Sequence, residues 1–148
     1  MITYINENIF NMKCEAYINP VNCVGVMGKG LALEFKKRYP NDYFEKYKYM
    51  CDNNLLFPGE LHLWKTNINY PKYIINFATK FHWKEPSNYL YIRTGLRNLK
   101  NIIFCYEILS VAIPKIGCGL GRLNWNEVKK IIEQELFNVN CDIYVLEF

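Results

Sequence analysis

The stretch Asn19-Pro-Val-Asn-Cys-Val-Gly-Val-Met-Gly-Lys-Gly30 decides how this chain is read. It continues the apolar run Ala16–Ile18 and leads into Leu31-Ala-Leu-Glu-Phe35. A strand over Ala16–Asn22 is therefore expected to pass through a glycine-rich turn into a helix over about Gly28–Tyr39, which Pro40 stops. Closely spaced glycines let backbone N–H groups crowd around an anion, because no Cβ blocks approach and positive φ is allowed. The partial positive charge of a helix N-terminus adds to that attraction. The loop lacks both the Lys-Ser/Thr ending of a P-loop and the GxGxxG register of a dinucleotide fold.

The same design recurs later in the chain. A short apolar strand over Ser110–Ile116 runs into Gly117-Cys-Gly-Leu-Gly121, and Asn124 with Glu127 three residues on forms a capping-box-like start to another helix. Trp125, Val128, Ile131, Ile132 and Leu136 supply the buried face of that helix. Either loop alone could do no more than turn the chain. Two loops of one design suggest a clamp on both sides of a diphosphate.

The remaining segments fill in an alternating pattern. Ile2–Asn6 reads as a strand, Tyr43–Cys51 as a helix, Glu60–Thr66 as a strand of period two, and Lys72–Phe77 as a buried strand. A long helix over about Asn88–Tyr106 carries Tyr89, Ile92, Leu96, Leu99 and Ile103 on one stripe, and Cys141–Phe148 is the last strand. With no internal repeat, low-complexity stretch or linker, the pattern predicts one three-layer α/β domain over residues 1–148. Ligands of such folds bind at the carboxyl ends of strands.

Composition bounds the function. A chain of 148 residues that is 51% hydrophobic and 22% charged is a folded globule, which excludes disordered and collagen-like classes. Its apolar runs fall short of the roughly 18 residues a membrane helix needs. The start carries no basic stretch followed by an apolar one, so a soluble, cytoplasmic protein without a membrane partner is expected. The net charge of +4 helps an anionic partner approach, but the lysines are too scattered to mark a nucleic-acid face by themselves. The six cysteines show no Cys-x-x-Cys spacing, and only His62 and His82 could join them. Neither a metal site nor a disulfide framework is expected, and most of the cysteines read as packing residues.

Three segments resemble a known family. NPVNCVGVMGKGLALEFKKRYP (Asn19–Pro40) and SVAIPKIGCGLGRLNW (Ser110–Trp125) look like the first and second ligand loops of macro domains, the ADP-ribose-binding fold. NFATKFHWK (Asn76–Lys84) resembles the lysine-bearing stretch of one macro-domain branch. That branch holds the DarG-type antitoxins, which remove ADP-ribose from thymidine in DNA, and the terminal ADP-ribose protein glycohydrolases. The resemblance covers essentially the whole chain and implies a three-layer α/β/α macro domain with a mixed central sheet.

It also implies roles. The diphosphate would lie against Gly25, Val26, Met27 and Gly28, with Gly30 beyond, and against Gly117, Cys118, Gly119, Leu120 and Gly121. Asn22 would hold the distal ribose, Thr79 would border the ligand, and Lys80 would be the catalytic lysine. His82 and Trp83 would shape the substrate entrance. At an ordinary pKa of about 10.4, only about one lysine in 2,500 is neutral at pH 7. A nucleophilic amine at Lys80 therefore needs burial or a neighbouring cation.

Departures from the pattern weigh on the substrate. Macro domains often carry Gly-Asp-Ile/Leu after the first strand, where the aspartate bonds the adenine amino group. Here the segment is Glu7-Asn8-Ile9, so Asn8 and Ile9 take the adenine side and the Asn8 amide oxygen accepts without a charge. Gly121 stands where the protein-glutamate glycohydrolases have an aspartate, which favours the DNA branch, and Ala78 stands where the DarG-like stretch usually has proline. DarG-type antitoxins carry a second, toxin-binding domain, so this chain fits a standalone member of the branch or a shorter relative.

The leading expectation is a monomeric ADP-ribosyl glycohydrolase acting on ADP-ribosylated single-stranded DNA, with an ADP-ribosyltransferase toxin as partner and no metal or cofactor. One alternative keeps the chemistry but takes ADP-ribosylated Glu/Asp of proteins or acylated ADP-ribose. Others are a non-catalytic ADP-ribose reader and a nucleotide-binding structural module. Lys80 discriminates among them, since a pure reader has no need of a neutral amine. A DNA substrate implies stacking aromatics, but the sequence does not choose which.

Overall fold

The computed structural model describes residues 1–148. Its order is β1 (Ile2–Ile5), β2 (Ala16–Val21), α1 (Gly30–Arg38), α2 (Asn41–Asp52), β3 (Leu61–Lys65), β4 (Tyr73–Ala78), α3 (Tyr89–Cys105), β5 (Ser110–Ile113), α4 (Trp125–Leu136) and β6 (Asp142–Leu146). Single 3-10 turns stand at Ile9–Asn11 and at Gly119–Gly121, the latter inside the second glycine loop.

The six strands form one sheet in the order β1-β6-β5-β2-β4-β3. All neighbours pair in parallel except β3, which runs antiparallel on the edge with Leu61 opposite Phe77 and Lys65 opposite Tyr73. The sheet is therefore mixed. Strands buried on both faces read as continuous apolar runs, and β4, with every residue buried, is such a run.

Period-two alternation along the strands separates two cores. Ala16, Ile18, Ile75, Phe77, Val111 and Val145 face α3 and α4, where they meet Ile92, Leu96, Leu99, Val128 and Ile132. Tyr17, Val21, Ile74, Ala78 and Ala112 face α1 and α2, where they meet Phe35, Tyr43 and Tyr47. Helix α3 lies against the sheet at Gly95, where a Cβ would lie 2.1 Å from Phe77 Cζ. No helix is long and apolar enough to cross a membrane.

Element ends differ from the sequence reading by up to three residues, and local bonding explains the differences that bear on the site. Strand β5 stops at Ile113 rather than Ile116, because Pro114 has no N–H to extend the ladder and the Ile116 N–H turns back to the Pro114 carbonyl. Helix α1 begins at Gly30 rather than Gly28, with Lys29 extended at φ −147° and no side chain capping the first turn. Asn124 does cap α4, accepting from Asn126 N–H, but Glu127 does not close a capping box. The Asn124 N–H donates instead to Tyr89 Oη, and Glu127 pairs with Lys130.

Candidate functional site

Strands β5, β2 and β4 are adjacent and parallel, so their carboxyl ends open side by side. The segments leaving these strands gather at that one edge: Asn22 and the first glycine loop after β2, Thr79 and Lys80 after β4, and Pro114 through Arg122 after β5. Together with the start of α1 and the segment Glu7–Ile9 they surround a cavity of about 1100 Å³. That is ample for a nucleotide-sized ligand.

The first loop is folded by its own asparagine. Asn22 Nδ2 donates to the Val26 carbonyl at 2.7 Å, while Oδ1 accepts from the N–H groups of Val24 at 3.1 Å and Val26 at 3.4 Å. The buried hydroxyl of Tyr47 on α2 lies 2.8 Å from both Oδ1 and the backbone oxygen of Asn22. The Asn22 amide thus shapes the loop from inside while the residue lines the cavity. At Gly25 the chain takes φ +82° and turns toward α2, and Met27 buries its side chain in the core beneath the loop. Neither of these two residues lines the cavity, in contrast to the expectation for them, whereas Val26, Gly28 and Gly30 do.

The second loop needs glycine for space as well as conformation. Gly117 has φ +74°, and a Cβ there would meet Leu123 Cδ1 at 2.8 Å and Ile92 Cδ1 at 2.9 Å. Gly117, Cys118, Gly119, Leu120 and Gly121 all line the cavity. The Gly121 carbonyl accepts from Ser87 N–H at 2.9 Å, and the Ser87 hydroxyl donates to the Thr79 carbonyl. This ties the second loop to the end of β4.

Lys80 stands where the two loops meet and is only 8% exposed. Its Nζ donates to the carbonyls of Trp83 at 3.1 Å and Leu120 at 3.3 Å, and no carboxylate pairs with it. Burial, and then the neighbouring Arg122 guanidinium, lower its pKa below the ordinary lysine value. A buried amine beside a cation, with no carboxylate partner, is more readily neutral than one in water. Arg122 itself adopts φ +65°, a left-handed conformation uncommon for a side chain of its size.

The other expected residues divide. Asn8 and Ile9 border the cavity, but Asn8 Oδ1 already accepts from Phe10 N–H to cap the 3-10 turn. Glu7 supplies a carboxylate next door, holding Asn8 N–H and Asn11 Nδ2. Trp83 lines the mouth at 48% exposure. His82 does not reach the cavity: its ring stacks on Trp83, centroids 5.2 Å apart, and its Nδ1 accepts from Lys84 N–H. Ala78 is fully buried under α1 and α2, away from the cavity.

Sequence reasoning missed the charged lining. Lys29, Lys84, Lys115 and Arg122 join Lys80 around the cavity against only Glu7 and Glu34, an excess of positive charge suited to a diphosphate. Lys29, Lys115 and Arg122 lie inside or beside the quoted loop segments, so proximity to those loops was the available signal. No three His, Cys, Asp or Glu side chains gather where they could share a metal ion. All six cysteines are free, and four of them are buried. Burial pushes the thiol of Cys23 up to about 12, an inert packing residue rather than a nucleophile.

Comparison with known proteins matches this geometry to one family. The family model described as Macro domain matches residues 18–132. A DNA ADP-ribosyl glycohydrolase of Mycobacterium tuberculosis is 43% identical over 148 residues, covering 97% of this chain and 42% of that protein. The chain thus spans about two fifths of the length of that curated relative. The solved macrodomain of Mycobacterium tuberculosis DarG superposes with a TM-score of 0.94 at 39% identity, over 99% of this chain and 97% of that one. A DNA ADP-ribosyl transferase-DNA ADP-ribosyl glycohydrolase fusion protein of Thermosipho africanus is 28% identical over 160 residues, covering 97% of this chain and 41% of that protein.

Proposed function

The chain belongs to the macro domain family, and from that premise we propose that it is a DNA ADP-ribosyl glycohydrolase, binding ADP-ribose between its two glycine loops and releasing it from modified thymidine in single-stranded DNA. The observation that carries this reading is Lys80, a buried lysine without a carboxylate partner, at the carboxyl end of β4 where both loops converge. A domain that only bound ADP-ribose would gain nothing from an amine kept from its full charge.

Diphosphate oxygens would meet the N–H groups of the two loops and the uncapped first turn of α1. Hydrolysis then breaks the bond between the anomeric carbon of the distal ribose and the base. Water supplies the hydroxyl to that carbon and the proton to the leaving base. The lone pair of neutral Lys80 engages the anomeric carbon, or helps the ribose ring open, and either route needs the unprotonated amine. We propose that the reaction runs on Lys80 without a metal or cofactor. Similarity to the fusion protein of Thermosipho africanus supports a DNA ADP-ribosyl transferase as partner. A toxin role for that partner, a cytoplasmic location and a monomeric state belong to the same proposal.

The test uses the purified chain and its Lys80→Ala variant in chelator, with a thymidine-ADP-ribosylated single-stranded oligonucleotide and, separately, a glutamate-ADP-ribosylated protein. The expected result is free ADP-ribose from the DNA, abolished in Lys80→Ala. Release from protein alone would move the substrate to protein carboxylates. Tight ADP-ribose binding with no release would make the chain a reader, and a strict need for added zinc or magnesium would refute the metal-free reaction.

A further inference from the structure

The two carbonyls that hold Lys80 Nζ belong to Trp83 and Leu120, and both residues turn their side chains out to the rim, 48% and 62% exposed. The amine and the rim are therefore one mechanical unit. On that rim the indole of Trp83 stacks with His82 at an interplanar angle of 29°, forming a flat aromatic step. Lys84 Nζ lies 5.1 Å from the Trp83 ring centroid, and Lys84 and Arg122 flank the same mouth. No carboxylate forms an ion pair with Lys84 or Arg122. Trp83 is about half exposed at the mouth, so an aromatic edge and two unpaired cations stand beside the buried amine, open to an anionic, base-bearing occupant.

We propose that this rim docks the unpaired nucleotides flanking the modified base, one base extending the His82–Trp83 stack while Lys84 and Arg122 meet the adjacent phosphates. The inference rests on the nucleic-acid reading above and adds the surface that recognises the strand. Aromatic faces interleaved with cations are the pattern that binds single strands without reading sequence, because every base has a π-face and every nucleotide a charge. A peptide would leave those cations without phosphates to meet.

The experiment compares ADP-ribose release from an ADP-ribosylated thymidine mononucleotide with release from the same nucleotide inside a single-stranded oligonucleotide. The readout is the oligonucleotide-to-mononucleotide ratio of kcat/KM, which cancels any general damage to Lys80. In Trp83→Ala that ratio should fall about tenfold, the loss of one base stack. Trp83→Phe should restore most of it, since the backbone and a stacking ring both remain. In Lys84→Gln the fall of oligonucleotide affinity with salt should become shallower by about one phosphate contact. An unchanged ratio in Trp83→Ala, with the wild type cleaving the oligonucleotide, overturns the docking surface and leaves the proposed activity standing. A wild type that cleaves neither nucleotide substrate overturns both. Equal losses on the two substrates would assign Trp83 to bracing Lys80 alone and overturn the proposal too.

Discussion

Replacing Tyr47 by phenylalanine removes one buried oxygen atom and leaves the ring, so it isolates the grip of α2 on the first glycine loop. The hydroxyl shares its hydrogen between the Asn22 backbone oxygen and Oδ1, each 2.8 Å away. Oδ1 keeps its bonds from Val24 and Val26, but the backbone oxygen loses the donor that the side chain gives it. A buried acceptor left unpaired costs about 1–3 kcal/mol. Unfolding entropy of about 2.1 cal/mol/K per residue, over a chain of this length, amounts to about 0.3 kcal/mol/K. A loss of about 1.5 kcal/mol therefore lowers Tm by about 5 °C. Tyr43, one turn earlier on the same face, is an internal control. Its equally buried hydroxyl accepts from Asn19 Nδ2 at 2.7 Å and donates to Asn76 Oδ1 at 2.5 Å, within the sheet core and not in the loop. Tyr43→Phe should lose comparable stability. Only Tyr47→Phe should also weaken ADP-ribose binding, by up to about tenfold if the whole loss falls on closing the loop. Thermal unfolding and isothermal titration calorimetry with ADP-ribose measure the two effects. Equal Kd values for the variants, or a weaker Kd in Tyr43→Phe alone, would refute the reasoning.

Two further outcomes are expected from the same geometry. Single-turnover release should rise with pH through the Lys80 pKa, because the neutral amine reacts; Arg122→Asn, which removes a cation and tolerates the left-handed backbone, should move that rising limb to higher pH, and an unmoved limb would show that Arg122 does not act on Lys80. Gly95→Ala should lower stability by about 1–3 kcal/mol although alanine is the better helix former, since its Cβ would fall 2.1 Å from Phe77 Cζ; Phe77→Leu in the same chain should recover part of the loss in a denaturant titration.

Much of this architecture is legible in the order of residues alone. The long helices announced themselves through apolar stripes: Ile92, Leu96, Leu99 and Ile103 of α3 are its buried face, whereas Tyr89 at its first turn is exposed and accepts from Asn124 N–H. Both glycine loops come after strands and lead toward helices as read, because that design is a local pattern of residue types. The position of Lys80 just beyond a buried strand was visible as well, since β4 is apolar without interruption. Helix and strand ends were less legible, because they depend on single backbone bonds such as the turn at Pro114.

What no linear reading could supply is which distant segments meet. Periodicity reports the environment along one element and says nothing of the neighbour across the sheet, so the order β1-β6-β5-β2-β4-β3 had to come from packing. That order brings the ends of β5, β2 and β4 to one edge, and with them Arg122 beside Lys80 and Lys29 and Lys115 around the same cavity. Charged side chains on loops carry no period, so their convergence was silent in the sequence. The direction of the Asn22 amide, turned into its own loop, and the hydroxyl of Tyr47 that holds it are likewise tertiary facts. Residue types dictate which bonds a side chain can make, and only the folded chain decides which partner comes within about 3 Å of it.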